Sequence, residues 1–232
     1  MPADTPPETD REALLDAALL HVPFDGWSED AFRAAVRDAG VEPALARALF
    51  PRGAVDLAVA FHKRGDAQME ARLARADLLG MRTRERVSFA VRARIEAAGD
   101  TEAVRRAASL FALPPYAPEG ARLIWETADA IWTALGDTDR DVNYYTKRAT
   151  LAGVYSSTVL YWLGDDTPDS SATWSFLDRR IEDVMRIEKV KANPVVKRLF
   201  AGPEWVLNRV ATPRGRPAAD MPGHWPTPAP QE

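Results

Sequence analysis

The sequence predicts an all-α protein, and three observations carry that prediction. Apolar residues recur with helical spacing along most of the chain, and no segment sustains the alternation of a strand. Ala, Leu, Arg and Glu, all good helix formers, are abundant. Gly and Pro fall between the periodic segments, where they act as stops. In chain order, helices are expected near Arg11–Leu20, Ser28–Ala39, Pro43–Leu49, Val55–Arg75, Thr83–Ala98, Thr101–Phe111, Pro118–Leu135, Asp139–Leu163, Ser171–Glu188 and Pro194–Ala211. Ser28 suits an N-cap, because its hydroxyl can accept from a free N–H of the first turn. Pro43 and Pro118 suit a first helical position. The Pro-rich tail from Pro213 has no apolar period and is expected to be disordered, as are residues 1–10.

The 232 residues include 46% apolar and 28% charged side chains, enough for a sizeable core under a soluble surface. No stretch approaches 18 uncharged apolar residues, so no membrane-spanning helix is expected. The chain contains no cysteine, which removes disulfides and thiolate metal sites. The opening "MPADTPPETD" has neither the apolar segment of a secretory signal nor the Arg-rich character of an organellar transit peptide. The expected compartment is the cytoplasm.

The first three predicted helices are short and a long one follows, the order of a helix-turn-helix DNA-binding unit. Its charge argues against DNA. Between Arg11 and Phe50, four basic residues face seven acidic ones. The would-be recognition helix, "EPALARALF", offers one Arg and no Lys, Asn or Gln for phosphates or base edges. No nucleic-acid partner is expected.

Catalytic constellations are equally missing. The three histidines, His21, His62 and His224, have no metal-ligand spacing, and the first two read as helix-end or surface residues. No HExxH, no Gly-rich phosphate loop and no GxSxG elbow occurs. Asp137, Asp139 and Asp141 alternate like the start of a calcium loop. That loop's sixth position holds Val142 instead of Gly, and its twelfth holds Arg148 instead of Glu. The acids instead favour the positive end of the next helix. Asp165 and Asp166 read as loop acids. The expectation is a non-enzyme without metal or cofactor.

Three apolar stripes must be buried. They comprise Ile124, Ala128, Ile131, Trp132 and Leu135, with Trp125 beside them; Leu151, Val154, Tyr155, Thr158, Val159 and Trp162; and Trp174, Leu177, Ile181 and Val184. They form either an ordinary core or one that stays partly open around an apolar ligand. Further on, Val195, Val196, Leu199, Phe200, Val206, Leu207 and Val210 share an arc of about 140°. Lys197, Arg198 and Arg209 lie opposite, and Pro203 should kink the helix. Residues 186–216 carry a net charge of +6, leaving −10 on the remainder. Such a segment suits either a membrane interface or docking on the core or on a second copy.

The stretch "GDTDRDVNYYTKRATLAGVYSSTVLYWLGDD", followed by "TWSFLDRRIEDVM", closely resembles the COQ9 family of ubiquinone-biosynthesis proteins, from about Leu78 to Met185. The resemblance implies a fold similar to TetR-type regulators, with an N-terminal helix-turn-helix-like unit and a helical ligand domain. It implies a non-catalytic protein that binds isoprenoid lipid or quinone precursors and assists a COQ7-type di-iron hydroxylase. A C-terminal amphipathic helix would touch the membrane, and a homodimer is expected. The residues implied for partner docking are Asp141, Tyr144 and Tyr145, where many family members have Trp at the first aromatic position. Those expected at the lipid are Trp125, Trp132, Leu151, Val154, Tyr155, Thr158 and Trp162. Those expected at the membrane are Val195, Val196, Lys197, Arg198, Leu199, Phe200, Val206, Leu207 and Arg209. The expected organisation is residues 11–77 for the helix-turn-helix-like unit and long connecting helix, 78–190 for the lipid domain, 191–212 for the membrane helix and 213–232 for the tail. Lacking an organellar leader, the chain reads as a bacterial version, peripheral on the inner face of the cytoplasmic membrane. A TetR-like transcriptional regulator with a small-molecule pocket is the alternative.

Overall fold

The computed structural model describes residues 7–140 and 142–192. By internal contact the chain divides into two units, 1–184 and 185–232, and the core and site below belong to the first. The described residues form nine α-helices: α1 (Pro7–Asp25), α2 (Glu29–Ala39), α3 (Pro43–Leu49), α4 (Ala54–Arg75), α5 (Thr83–Ala98), α6 (Thr101–Phe111), α7 (Ala117–Ala134), α8 (Val142–Trp162) and α9 (Ser171–Ala192). A single 3-10 turn, Pro168–Ser170, precedes α9. The predicted helix at Pro194–Ala211 and the tail lie outside the described residues.

The helix-turn-helix-like unit is built by local signals. Ser28 caps α2 by accepting from the Ala31 N–H at 3.2 Å. Gly40 ends α2 at φ 65°, a left-handed conformation that costs a glycine little. Pro43 opens α3, and the Glu42 carboxylate accepts from the Leu45 N–H at 2.9 Å. Leu14, Leu15, Val22, Phe32, Phe50 and Leu57 are almost completely buried in one cluster shared by α1, α2, the end of α3 and α4. Each such side chain contributes about 1.5–3 kcal/mol on burial, enough to set the packing of these helices. Trp27 ties the unit to α6 by donating its Nε1 hydrogen to the Ala103 carbonyl at 3.1 Å.

The first helix is not short. It spans 19 residues, begins inside the stretch expected to be disordered, and runs past Pro23. Glu8 and Asp10 favour its positive end. Arg11 donates to the Leu49 carbonyl at 2.8 Å. At the far end Val22 is fully buried, and its carbonyl accepts from Gly26 N–H at 2.9 Å. Packing therefore carries the helix through a residue that lacks an N–H.

Polar ties then join the unit to the helices that follow. Arg52, after α3, donates to Asp56 at the start of α4 (2.8 Å) and to both carboxylate oxygens of Glu119 on α7 (2.8 and 3.0 Å). Asp165, read as a loop acid, caps α9: it accepts from the backbone and hydroxyl of Thr167 (2.9 and 2.6 Å) and of Thr173 (2.8 and 2.5 Å). Those bonds hold its carboxyl well below the usual carboxylate range.

Candidate functional site

Helices α4 to α8 enclose a cavity of about 360 Å³. Phe61 and His62 enter from α4, Arg94 and Ile95 from α5, Val104 and Phe111 from α6, Leu123 and Ile124 from α7, and Tyr155 and Val159 from α8. Small side chains keep the space open: Ala98, Ala107, Ala108, Ala121 and Gly120 all line it. Gly120 is needed for close packing, because a Cβ there would meet Phe111 Cβ at 2.7 Å. The deep wall is buried at Arg94, Ile95, Leu123 and Tyr155, whereas Ala112, Ala117 and Leu160 at the mouth are exposed. A space of this volume with mostly apolar walls and a few polar groups is the usual form of a small-ligand site.

Its polar end is a connected cluster. Arg94, only 3% exposed, donates its Nε hydrogen to Asp66 Oδ1 at 2.6 Å and an Nη2 hydrogen to the His62 carbonyl at 2.9 Å. Gly65 makes this possible, since a Cβ at that position would lie 2.6 Å from Arg94 Nη1. Thr127 donates to Asp66 Oδ1 at 2.8 Å, and its hydroxyl oxygen lies 2.8 Å from His62 Nε2. His62 is thus neither a helix-end nor a free surface residue: it sits in the third turn of α4 and lines the cavity. Burial, reinforced by the Arg94 charge, lowers its pKa from 6.5 to about 4, so it is neutral at physiological pH. Burial works against the Arg94 charge, but the adjacent Asp66 carboxylate favours it and the guanidinium stays charged.

A second feature lies at the start of α8. Arg148 is 2% exposed in its side chain and pairs with Asp129 at 2.5 Å and Asp137 at 3.1 Å. Its guanidinium carbon stands 3.5 Å from the Tyr144 ring centroid, a cation–π contact. Tyr144 donates to Asp129 at 3.1 Å and meets Tyr145 edge-on at 5.1 Å. Tyr145 is 63% exposed, and its ring lies 6.3 Å from that of Trp125. Asp137 and Asp139, expected to serve the helix end, hold Lys147 at 2.7 and 2.6 Å instead, and α8 begins only at Val142.

The expected lipid residues separate in space. Tyr155 and Trp162 line the cavity. Trp132 donates to the Lys147 carbonyl at 3.2 Å, Trp125 faces Tyr145, and Leu151, Val154 and Thr158 are buried packing residues of α8. Tyr144 and Tyr145 come together at one surface; Asp141 lies outside the described residues, as do Val195, Val196, Lys197, Arg198, Leu199, Phe200, Val206, Leu207 and Arg209. The walls from α4, α5 and α6 escaped the sequence reading. The small, apolar face of α6 (Val104, Ala107, Ala108, Phe111) was the available signal for them.

No described helix is long and apolar enough to cross a membrane. On α3, Ala44, Leu45 and Ala48 are exposed, and Arg47 is engaged by Glu29, so this helix presents little that could neutralise phosphates.

The comparisons with known proteins match this architecture. In the solved structures, a TetR transcriptional regulator from Nitrosomonas europaea ATCC 19718 shares the fold at a TM-score of 0.62, with 19% identity over 74% of this chain and 95% of that one. The COQ9 family model matches residues 117–188, which span α7, α8 and most of α9. The mitochondrial ubiquinone biosynthesis protein COQ9 of Xenopus tropicalis is 32% identical over 183 residues, covering 75% of this chain and 57% of that protein. The Drosophila melanogaster counterpart is 31% identical, covering 77% of this chain and 56% of its own length. The chain therefore spans less than two thirds of the length of these relatives. With a matching family model over its cavity-closing helices and three quarters of its length aligned to such relatives, the chain belongs to the COQ9 family.

Proposed function

We propose that this chain is a non-catalytic accessory protein of ubiquinone biosynthesis. It binds an isoprenoid quinone precursor and presents it to a COQ7-type hydroxylase. The names of its relatives support the pathway, and the cavity between α4 and α8 is the observation that carries the lipid reading. Withdrawing a tail from a bilayer costs about 0.8 kcal/mol per CH₂ if it enters water, and an apolar chamber offsets that cost. Tyr145, exposed and backed by Trp125 and Tyr144, supplies the amphipathic anchor of a docking surface.

In this reading the protein acts as a homodimer, peripheral on the inner face of a bacterial cytoplasmic membrane. Contact is made through the basic, amphipathic segment 195–209. The test is mass spectrometry of lipids that co-purify with the chain. Isoprenoid quinone precursors are expected with the native protein and are lost in Ala108→Trp, which fills the cavity. Equal isoprenoid content in both, with the variant still folded by circular dichroism, refutes the lipid site.

A further inference from the structure

Resting on the reading of this cavity as an isoprenoid site, we propose a head-inward orientation. The ligand's uncharged, oxygen-bearing head binds at Tyr155 and Arg94 on the deep wall, and its tail leaves through the mouth beside Leu160. The Tyr155 side chain lines the cavity and is 6% exposed. Among the described residues its hydroxyl has no hydrogen-bond partner, yet among those same residues no fully buried side-chain nitrogen or oxygen is left unsatisfied. The hydroxyl therefore borders the open space of the cavity, where a ligand oxygen can meet it. The Arg94 guanidinium carbon lies 5.7 Å from the Tyr155 ring centroid, so a second donor group stands beside the first.

Charge selects the class of head group. Arg94 is matched by Asp66 at 2.6 Å, and His62 is neutral, so the deep wall carries no surplus charge. A phosphate or pyrophosphate would be desolvated there without a counter-ion of its own, which is costly. A ring carbonyl or hydroxyl needs only the donors present. Size gives the direction of the tail. A chamber of about 360 Å³ is at the small end of ligand sites, and its exposed rim is formed by Ala112, Ala117 and Leu160. A long tail has to pass that rim. Delivery to a partner then requires the ring to withdraw through the mouth.

The experiment compares three probes of equal tail length by fluorescence quenching or calorimetry: a short-tailed benzoquinone, the isoprenoid hydrocarbon without a head, and the isoprenoid pyrophosphate. The native chain is expected to bind the quinone best. Tyr155→Phe, which removes only the hydroxyl, should weaken quinone binding about fivefold to tenfold and leave the hydrocarbon unchanged. A nitroxide at the quinone's tail end should stay accessible to a water-soluble relaxation agent. Unaltered quinone affinity in Tyr155→Phe, tightest binding of the pyrophosphate, or a nitroxide shielded from the agent each overturns the orientation. If Ala108→Trp still abolishes quinone binding in those cases, the isoprenoid site itself stands. If Ala108→Trp has no effect on any probe, both fail together.

Discussion

Arg148 lies over the ring of Tyr144 at 3.5 Å while its guanidinium is held by Asp129 and Asp137. One buried cation thus organises the corner from which both tyrosines project. It gives the basic residue a structural task and leaves the outer ring, that of Tyr145, to solvent. The two adjacent tyrosines therefore have different duties, and the first prediction follows from this division.

Arg148→Ala should destabilise the fold by about 3 kcal/mol, because Asp137, nearly enclosed, loses one partner of a buried network. Urea unfolding monitored by circular dichroism measures it. A loss below about 1 kcal/mol would mean that the pair is effectively solvated.

Tyr145→Ala should leave stability nearly unchanged and weaken binding of a COQ7-type hydroxylase about thirtyfold, the scale of an interface anchor. Tyr144→Ala is the less informative variant, since it also strips the contact over Arg148. Surface plasmon resonance against the purified hydroxylase decides the matter, and unchanged affinity rejects the docking surface.

Acid should destabilise the protein through His62. Its pKa falls from 6.5 in the unfolded chain to about 4 in the fold, so between those values the unfolded state binds the extra proton. The contribution is fully present above about pH 6.5 and is lost as pH falls toward 4, reaching roughly 3 kcal/mol. His62→Gln should flatten that limb of the stability–pH curve. An identical curve would show that the ring is not held neutral by its surroundings.

The doubly substituted Leu199→Asp, Phe200→Asp chain should fail to sediment with anionic phosphatidylglycerol vesicles that capture the native protein. It replaces two apolar side chains and cancels the +2 net charge of residues 195–209. Co-sedimentation at native levels refutes a membrane role for this segment.

Much of the fold is legible from the residues because helix ends are local events. The bounds of α3, α5 and α6 fall at Pro43–Leu49, Thr83–Ala98 and Thr101–Phe111, as the periodicity predicts, and Ser28 caps α2 as its chemistry requires. Asp100 accepts from the N–H groups of Glu102 and Ala103, two and three residues away, so no distant partner is involved. Where a boundary depends on packing, the pattern misleads. Helix α1 continues through Pro23 because Val22 is buried by other helices. Ahead of α8, which runs from Val142, Asp137 and Asp139 pair with Lys147 of its second turn, a contact that spacing alone does not announce.

The helical class, most helix ends, the acidic balance of the first three helices and the family motif can be read along the chain, since each rests on spacing within a few turns or on summed charge. Which face of α8 opens onto the cavity follows from the packing of distant helices. The tertiary structure placed Tyr155 and Trp162 there and sent Leu151 and Thr158 into packing. It also turned His62, Asp66, Arg94 and Thr127, spread over more than 60 positions, into one hydrogen-bonded cluster. The physical reason is that an apolar stripe records only that a face must leave water. Whether it meets another side chain or an empty chamber depends on helices far away in the chain.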